Sequence, residues 1–127
     1  MRRIVLDMRS GMFADAVAQS LSDSDPDFSV CRSSRPEETS SLCKACQANV
    51  LVMEVVRQSI WTLKERLKIR EELRKALPDC KVLLLVDENA EEQQAAGVRQ
   101  AVKDKLVDGF IYTSVSPTYL AAVIDTL

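Results

Sequence analysis

The chain has 127 residues, with 46% apolar and 28% charged residues and only three Gly and four Pro, the profile of one folded domain rather than a disordered or collagen-like chain. Seventeen Lys and Arg against nineteen Asp and Glu give a formal net charge of −2, which is no electrostatic footprint for direct nucleic-acid contact. Histidine is absent, so the commonest general base at neutral pH is missing and any chemistry must run on carboxylates, thiols or backbone.

The apolar runs are too short to span a bilayer, Val82–Val86 among them. The basic Arg2-Arg3 start is followed by Ile4–Leu6 and then by Asp7 and Arg9, which leaves no signal-peptide core and makes the cytoplasm the expected compartment.

Arg3–Met8 reads as a first strand. Gly11 opens a helix with Met12, Phe13, Val17 and Leu21 at helical spacing, and Asp23-Ser24-Asp25-Pro26 ends it. Phe28–Cys31 alternates and is expected to be a less covered strand. Pro36-Glu37-Glu38 opens a second helix, Pro supplying its fixed φ and the two acids facing the positive helix end, with Leu42, Cys43 and Cys46 as its stripe. Asn49–Glu54 is apolar on both faces, as a central strand of a helix-covered parallel sheet must be.

Thr62-Leu63-Lys64-Glu65 fits a capping box for a third helix carrying Leu63, Leu67, Ile69 or Arg70, Leu73 and Leu77, closed by Pro78-Asp79. Lys81–Val86 is the fourth strand. Asn89 or Glu88 is expected to cap a polar fourth helix running through Ala95, Val98 and Val102. Asp108-Gly109 turns into a fifth strand, Phe110–Tyr112, and Ser116-Pro117 starts a last helix with Leu120, Val123 and Ile124. Strict alternation of five strands and five helices over residues 1–127 predicts one α/β domain, a doubly wound five-stranded parallel sheet of flavodoxin-like type.

In such sheets ligands sit beyond the carboxyl ends of the strands, near the switch in strand order. The residues there are Asp7, Met8 and Arg9, then Glu54, then Val86 to Glu88, then Tyr112 to Ser114. The loop Arg9-Ser10-Gly11-Met12 has one glycine and is no phosphate-cradling loop. A carboxylate ending an apolar strand must be solvated, paired or bound, so Glu54 either caps the strand in water or pairs with Arg9 or Arg57, or is a ligand or signalling position. Asp7 either lies beside Glu54 or faces elsewhere. Cys43-Lys-Ala-Cys46 has redox or metal spacing, and Cys31 and Cys80 would complete a four-thiolate set. Its helical context and the lack of His favour ordinary, partly buried thiols.

With Arg3–Phe13, Asn49–Val55, Asp79–Val86 and Asp108–Pro117 in view, nearly the whole chain resembles the receiver domain of bacterial two-component response regulators. In that family an aspartate ending the third strand accepts a phosphoryl group, an acid pair after the first strand holds Mg²⁺, and a Ser or Thr and a Lys contact the phosphoryl oxygens. Carried over by position, the acceptor falls on Glu54, the acid pair on Asp7-Met8 or Met8-Arg9, the Ser/Thr on Val86, the Lys on Thr113 and the switch aromatic on Phe110.

At most one metal-holding acid survives, the lysine charge is gone, and Val86 has no side-chain donor. The resemblance therefore implies a degenerate pseudo-receiver, not an enzyme, with no cofactor beyond weak Mg²⁺ binding. An Arg9–Glu54 ion pair is expected to stand where the family puts the metal. The expected function is regulatory, independent of phosphorylation and exercised through protein contacts. The alternatives are a Mg²⁺-dependent receiver with a Glu acceptor, and a structural interaction domain without signal input.

Family members dimerise or touch an output domain through the face of the fourth helix, fifth strand and fifth helix. Here that face carries Gln93, Gln100, Lys103, Tyr112, Pro117 and Tyr119. The resemblance implies a protein partner there, a homodimer or a fused DNA-binding output domain, with neither membrane nor direct nucleic-acid contact. Trp61, in the loop after Glu54, is the other candidate anchor, with inward packing as its expected role.

Overall fold

The computed structural model describes residues 2–57 and 61–127. Its elements alternate as expected: β1 (Arg2–Asp7), α1 (Gly11–Ser24), β2 (Phe28–Arg32), α2 (Pro36–Cys46), β3 (Val50–Val55), α3 (Leu63–Ala76), β4 (Lys81–Val86), α4 (Glu92–Lys103), β5 (Gly109–Tyr112) and α5 (Pro117–Thr126). The five strands form one parallel sheet in the order β2-β1-β3-β4-β5. The chain starts in the interior and reverses direction across the sheet between β1 and β3, which places the switch point beside Asp7 and Glu54.

Strand pleating sends successive side chains to opposite faces. Ile4, Leu6, Val50, Val52, Leu83 and Leu85 pack against Val17 and Leu21 of α1 and Leu120 and Ile124 of α5. Val5, Leu51, Met53, Val82, Leu84 and Val86 pack on the other side against Cys43 of α2, Leu73 of α3 and Val98 of α4. Both faces of β3 and β4 are thus covered, which explains their uninterrupted apolar sequences. Edge strand β2 is only partly covered beyond Phe28, as its alternating sequence predicts.

The helix starts follow local hydrogen-bonding chemistry. Ser10, Thr62 and Ser116 side chains accept from the backbone N–H groups of Phe13, Glu65 and Tyr119. Pro36 sits in the first turn of α2 with Glu37 and Glu38. The start of α4 departs from the sequence reading, for neither Glu88 nor Asn89 caps it. The Asp87 carboxylate accepts from the Asn89 N–H at 2.8 Å and the Asp87 carbonyl from the Ala90 N–H, so this segment closes as a turn. The helix begins at Glu92, after Glu91, without a side-chain cap. The first strand likewise starts and ends one residue earlier than Arg3–Met8.

At the end of α2, Gln47 adopts a left-handed conformation, φ 53°, and its N–H bonds back to the carbonyls of Cys43 and Lys44. A side chain with a Cβ is strained there. Gln47→Gly is therefore expected to raise unfolding free energy by up to about 1 kcal/mol, read from denaturant melts. Leu84 is fully buried at the centre of the sheet, and Leu84→Ala is expected to cost about 2–5 kcal/mol in the same measurement.

Candidate functional site

The carboxyl edge of the sheet holds a buried ionic cluster centred on Asp7 and Arg66. Asp7 ends β1 on the same face as Val5, and is 1% exposed. Arg66, one turn into α3, is 0% exposed, the largest fully buried side chain described. Its guanidinium grips Asp7 with two parallel bonds, Nη1 to Oδ2 at 2.6 Å and Nη2 to Oδ1 at 3.2 Å. Nη2 also donates to the Asp7 carbonyl at 3.1 Å, and Nε donates to the Glu54 carbonyl at 2.8 Å. One side chain thus fastens α3 to the ends of both β1 and β3.

Two hydroxyls complete the cluster. Thr39 of α2 donates to Asp7 Oδ2 at 2.6 Å, and Ser33 lies 2.8 Å from the Thr39 oxygen and 2.8 Å from the Arg35 carbonyl. Each hydroxyl has one proton. Thr39 directs its proton to Asp7, which leaves the single Ser33 proton shared between the Arg35 carbonyl and the Thr39 oxygen.

Burial lowers the pKa of Arg66 and the Asp7 charge, hydrogen-bonded to it, opposes that shift. A guanidinium remains charged throughout the accessible pH range, so the cluster keeps its cation. Paired and multiply hydrogen-bonded, the charge escapes the penalty of an unpaired buried ion.

Glu54 occupies the same strand end but has the parity of Val52, and the pleat turns it to the opposite face of the sheet from Asp7. Of the two placements open to Asp7, it therefore faces away from the Glu54 carboxylate. Glu54 is half-buried, and its Oε1 accepts from the backbone N–H of Arg9 at 2.7 Å. This replaces the expected Arg9–Glu54 ion pair. With Met8 packed into the core, Arg9 is exposed and presents its main chain, not its guanidinium, to Glu54. Arg57, the other expected partner of Glu54, pairs with Glu91 instead.

The remaining positions fall along the β4–β5 side of the same edge. Val86 is buried, and its carbonyl accepts from the Thr113 N–H at 2.9 Å. Thr113 is half-buried just beyond β5, and Ser114 donates to Glu88 at 3.0 Å. Phe110 is half-buried and meets Tyr112 edge to face, with ring centroids 5.7 Å apart. On the face of α4, β5 and α5, Gln93, Gln100, Lys103, Tyr112, Pro117 and Tyr119 are all exposed. Trp61 is half-buried, and its indole N–H is buried without a partner among the described residues.

The four cysteines are free thiols. Burial pushes Cys43 up to about 12 and, with Asp108, Cys80 up to about 11. Both are protonated at neutral pH, and no group of three or more Cys, Asp or Glu suited to a metal is found among the described residues. Cys46 does not pair with Cys43: its sulfur lies 3.7 Å from that of Cys31 on β2.

Sequence reasoning missed Arg66, Thr39 and Ser33. The signal for Arg66 was periodic: it stands three residues after Leu63 and seven before Leu73, on the inward stripe of α3.

No protein-family model matches the sequence, and comparison with curated proteins gives no match. Solved structures do match over almost the whole chain. A DNA-binding response regulator of the LuxR family from Staphylococcus aureus superposes with a TM-score of 0.78 at 16% identity, covering 99% of this chain and 98% of that one. A CheY-like response regulator receiver domain protein from Methanospirillum hungatei JF-1 gives 0.77 at 16% identity, covering 99% and 92%. An adenylate cyclase from Rhodopirellula baltica gives 0.77 at 17% identity, covering 98% and 85%. At these identities the likeness establishes the fold: the chain has the receiver-domain architecture. Among the described residues, no helix is long and apolar enough to cross a membrane.

The buried pair has a measurable energetic signature. Arg66→Met alone is expected to cost about 3–5 kcal/mol, because it strands the Asp7 charge. Combining it with Asp7→Leu is expected to recover most of that loss, since well-packed apolar groups replace a buried ion pair at little cost. Chemical denaturation of both single variants and the double variant measures the coupling.

Proposed function

We propose that this protein is a receiver-type signalling module that acts through protein contacts and does not carry out phosphoryl transfer. The observation that carries this reading is the seat of Arg66, whose guanidinium occupies both carboxylate oxygens of Asp7. In the receiver family this is where an acid pair holds Mg²⁺. The residues present do not fit that ion. Asp7 is already neutralised by a fixed cation, Met8 is buried in the core, and Arg9 adds positive charge.

Phosphoryl transfer to a carboxylate depends on alignment and on neutralising the charge of the phosphoryl oxygens. The other positions supply neither. Val86 offers no side-chain hydrogen-bond donor, Thr113 offers no cation, and the Glu54 carboxylate reaches one methylene further than an aspartate and is tied to the Arg9 N–H. Glu54 instead places one carboxylate at the acceptor position, which can carry at most a single negative charge, less than the −1.5 to −2 of a phosphate near neutral pH.

The output surface in this reading is the face of α4, β5 and α5. Tyr112 is 39% and Tyr119 55% exposed, and amphipathic aromatics of this kind are effective contact anchors. Gln93, Gln100 and Lys103 provide a polar surround. Its partner is a second copy or an output domain; the structural relative from Staphylococcus aureus is itself a DNA-binding response regulator.

Intact mass after incubation with acetyl phosphate and Mg²⁺ tests the proposal. The expected result is no phosphoryl adduct. A gain of about 80 Da that disappears in Glu54→Gln would make Glu54 a working acceptor and overturn it.

A further inference from the structure

The sulfurs of Cys31 and Cys46 meet across the gap between an edge strand and the end of a helix. Cys31 lies opposite Val5 in the β1–β2 register, and Cys46 is the last residue of α2. The Cys46 thiol donates to the Cys31 sulfur at 3.7 Å, and both residues are half-buried, so the pair is sheltered yet open to small reagents. Cys43, one turn earlier, is 0% exposed and points into the core beneath Val5, which removes it from the exchange.

We propose that Cys31 and Cys46 are a redox modification site that closes reversibly into an intramolecular disulfide. A disulfide bond is about 2 Å long, so the sulfurs must approach further. The elements carrying them allow this. β2 is hydrogen-bonded to a neighbour on one side only, and α2 ends at Cys46, just before the left-handed Gln47.

The oxidant is a low-molecular-weight disulfide. One cysteine, as its thiolate, attacks that disulfide, forming a mixed disulfide and expelling one thiolate. The second cysteine loses its proton and attacks the protein sulfur of the mixed disulfide, expelling the other. The Sγ–Sγ bond forms, the reagent's S–S bond breaks, and the two electrons reduce the reagent to two thiols. Burial, and then the contact with Cys46, raise the Cys31 thiol above its ordinary range, which makes this a slow site set by redox balance rather than a rapid peroxide trap.

The bond would fasten α2 to β2 within 15 residues of sequence. Because α2 also carries Thr39, oxidation would stiffen the support of Asp7. This inference is independent of the phosphorylation reading.

The whole chain, incubated natively in glutathione and glutathione disulfide mixtures, acid-quenched and alkylated, tests the proposal. Intact mass and peptide mapping read the product. The expected product has lost two hydrogens, about 2 Da, maps to Cys31–Cys46 and returns to the dithiol with dithiothreitol. It should persist in Cys80→Ser and vanish in both Cys31→Ser and Cys46→Ser, with circular dichroism confirming that each variant is folded. Glutathione adducts without the internal bond, a bond mapping to Cys43–Cys46, or no reaction in the folded chain would each overturn it.

Discussion

A guanidinium with no contact to solvent must find its whole coordination inside the protein, and the carboxyl edge of this sheet is arranged around that need. Arg66 takes both oxygens of Asp7, the Asp7 carbonyl and the Glu54 carbonyl, so β1, β3 and α3 meet at one planar group. Such a pair adds little net stability over an apolar equivalent. Its main effect is geometric, because a helix shifted along or around its axis would leave a charge unsatisfied. Thr39 and Ser33 extend the same constraint to α2. The cation is covalently part of the chain, so unlike a bound metal it is indifferent to chelators and ion concentration.

The pleat divides the two carboxylates of this edge into separate environments. Asp7 is sealed beneath α2 and α3, whereas Glu54 lies half-buried on the side of α1 and α5 and binds the backbone of the β1–α1 loop. One is a structural anchor. The other remains within reach of water and of whatever approaches that side. A paired-acid centre would require the two to share a space, and the alternation of β1 and β3 sends them apart.

Most of the fold is legible in the sequence because it rests on local patterns. The apolar runs of β3 and β4 declare coverage on both faces, and Thr62 and Ser116 mark helix starts at which the caps form. The start of α4 is misread because Asp87 and Asn89 are both good capping types, and only the structure shows Asp87 closing a turn first. Arg66 is hard to see for a different reason. A charged residue in a helix as polar as Leu63–Ala76 reads as solvent-facing, and the partner that justifies its burial is 59 positions away. The thiols teach the same lesson. The spacing of Cys43 and Cys46 draws attention to a pair three residues apart on one helix, while the sulfur that meets Cys46 belongs to a strand fifteen residues upstream.

The separation of 59 residues between Asp7 and Arg66 also bears on how the chain reaches its native state. Contacts between distant segments form only after the entropy of closing the intervening loop has been overcome, so this pair joins after local helices and neighbouring segments have begun to assemble. Compact intermediates in which α3 is undocked or out of phase must either keep Asp7 hydrated or bury it without its counterion. The charge therefore raises the energy of misassembled globules more than it lowers that of the finished domain, and widens the gap that makes folding decisive.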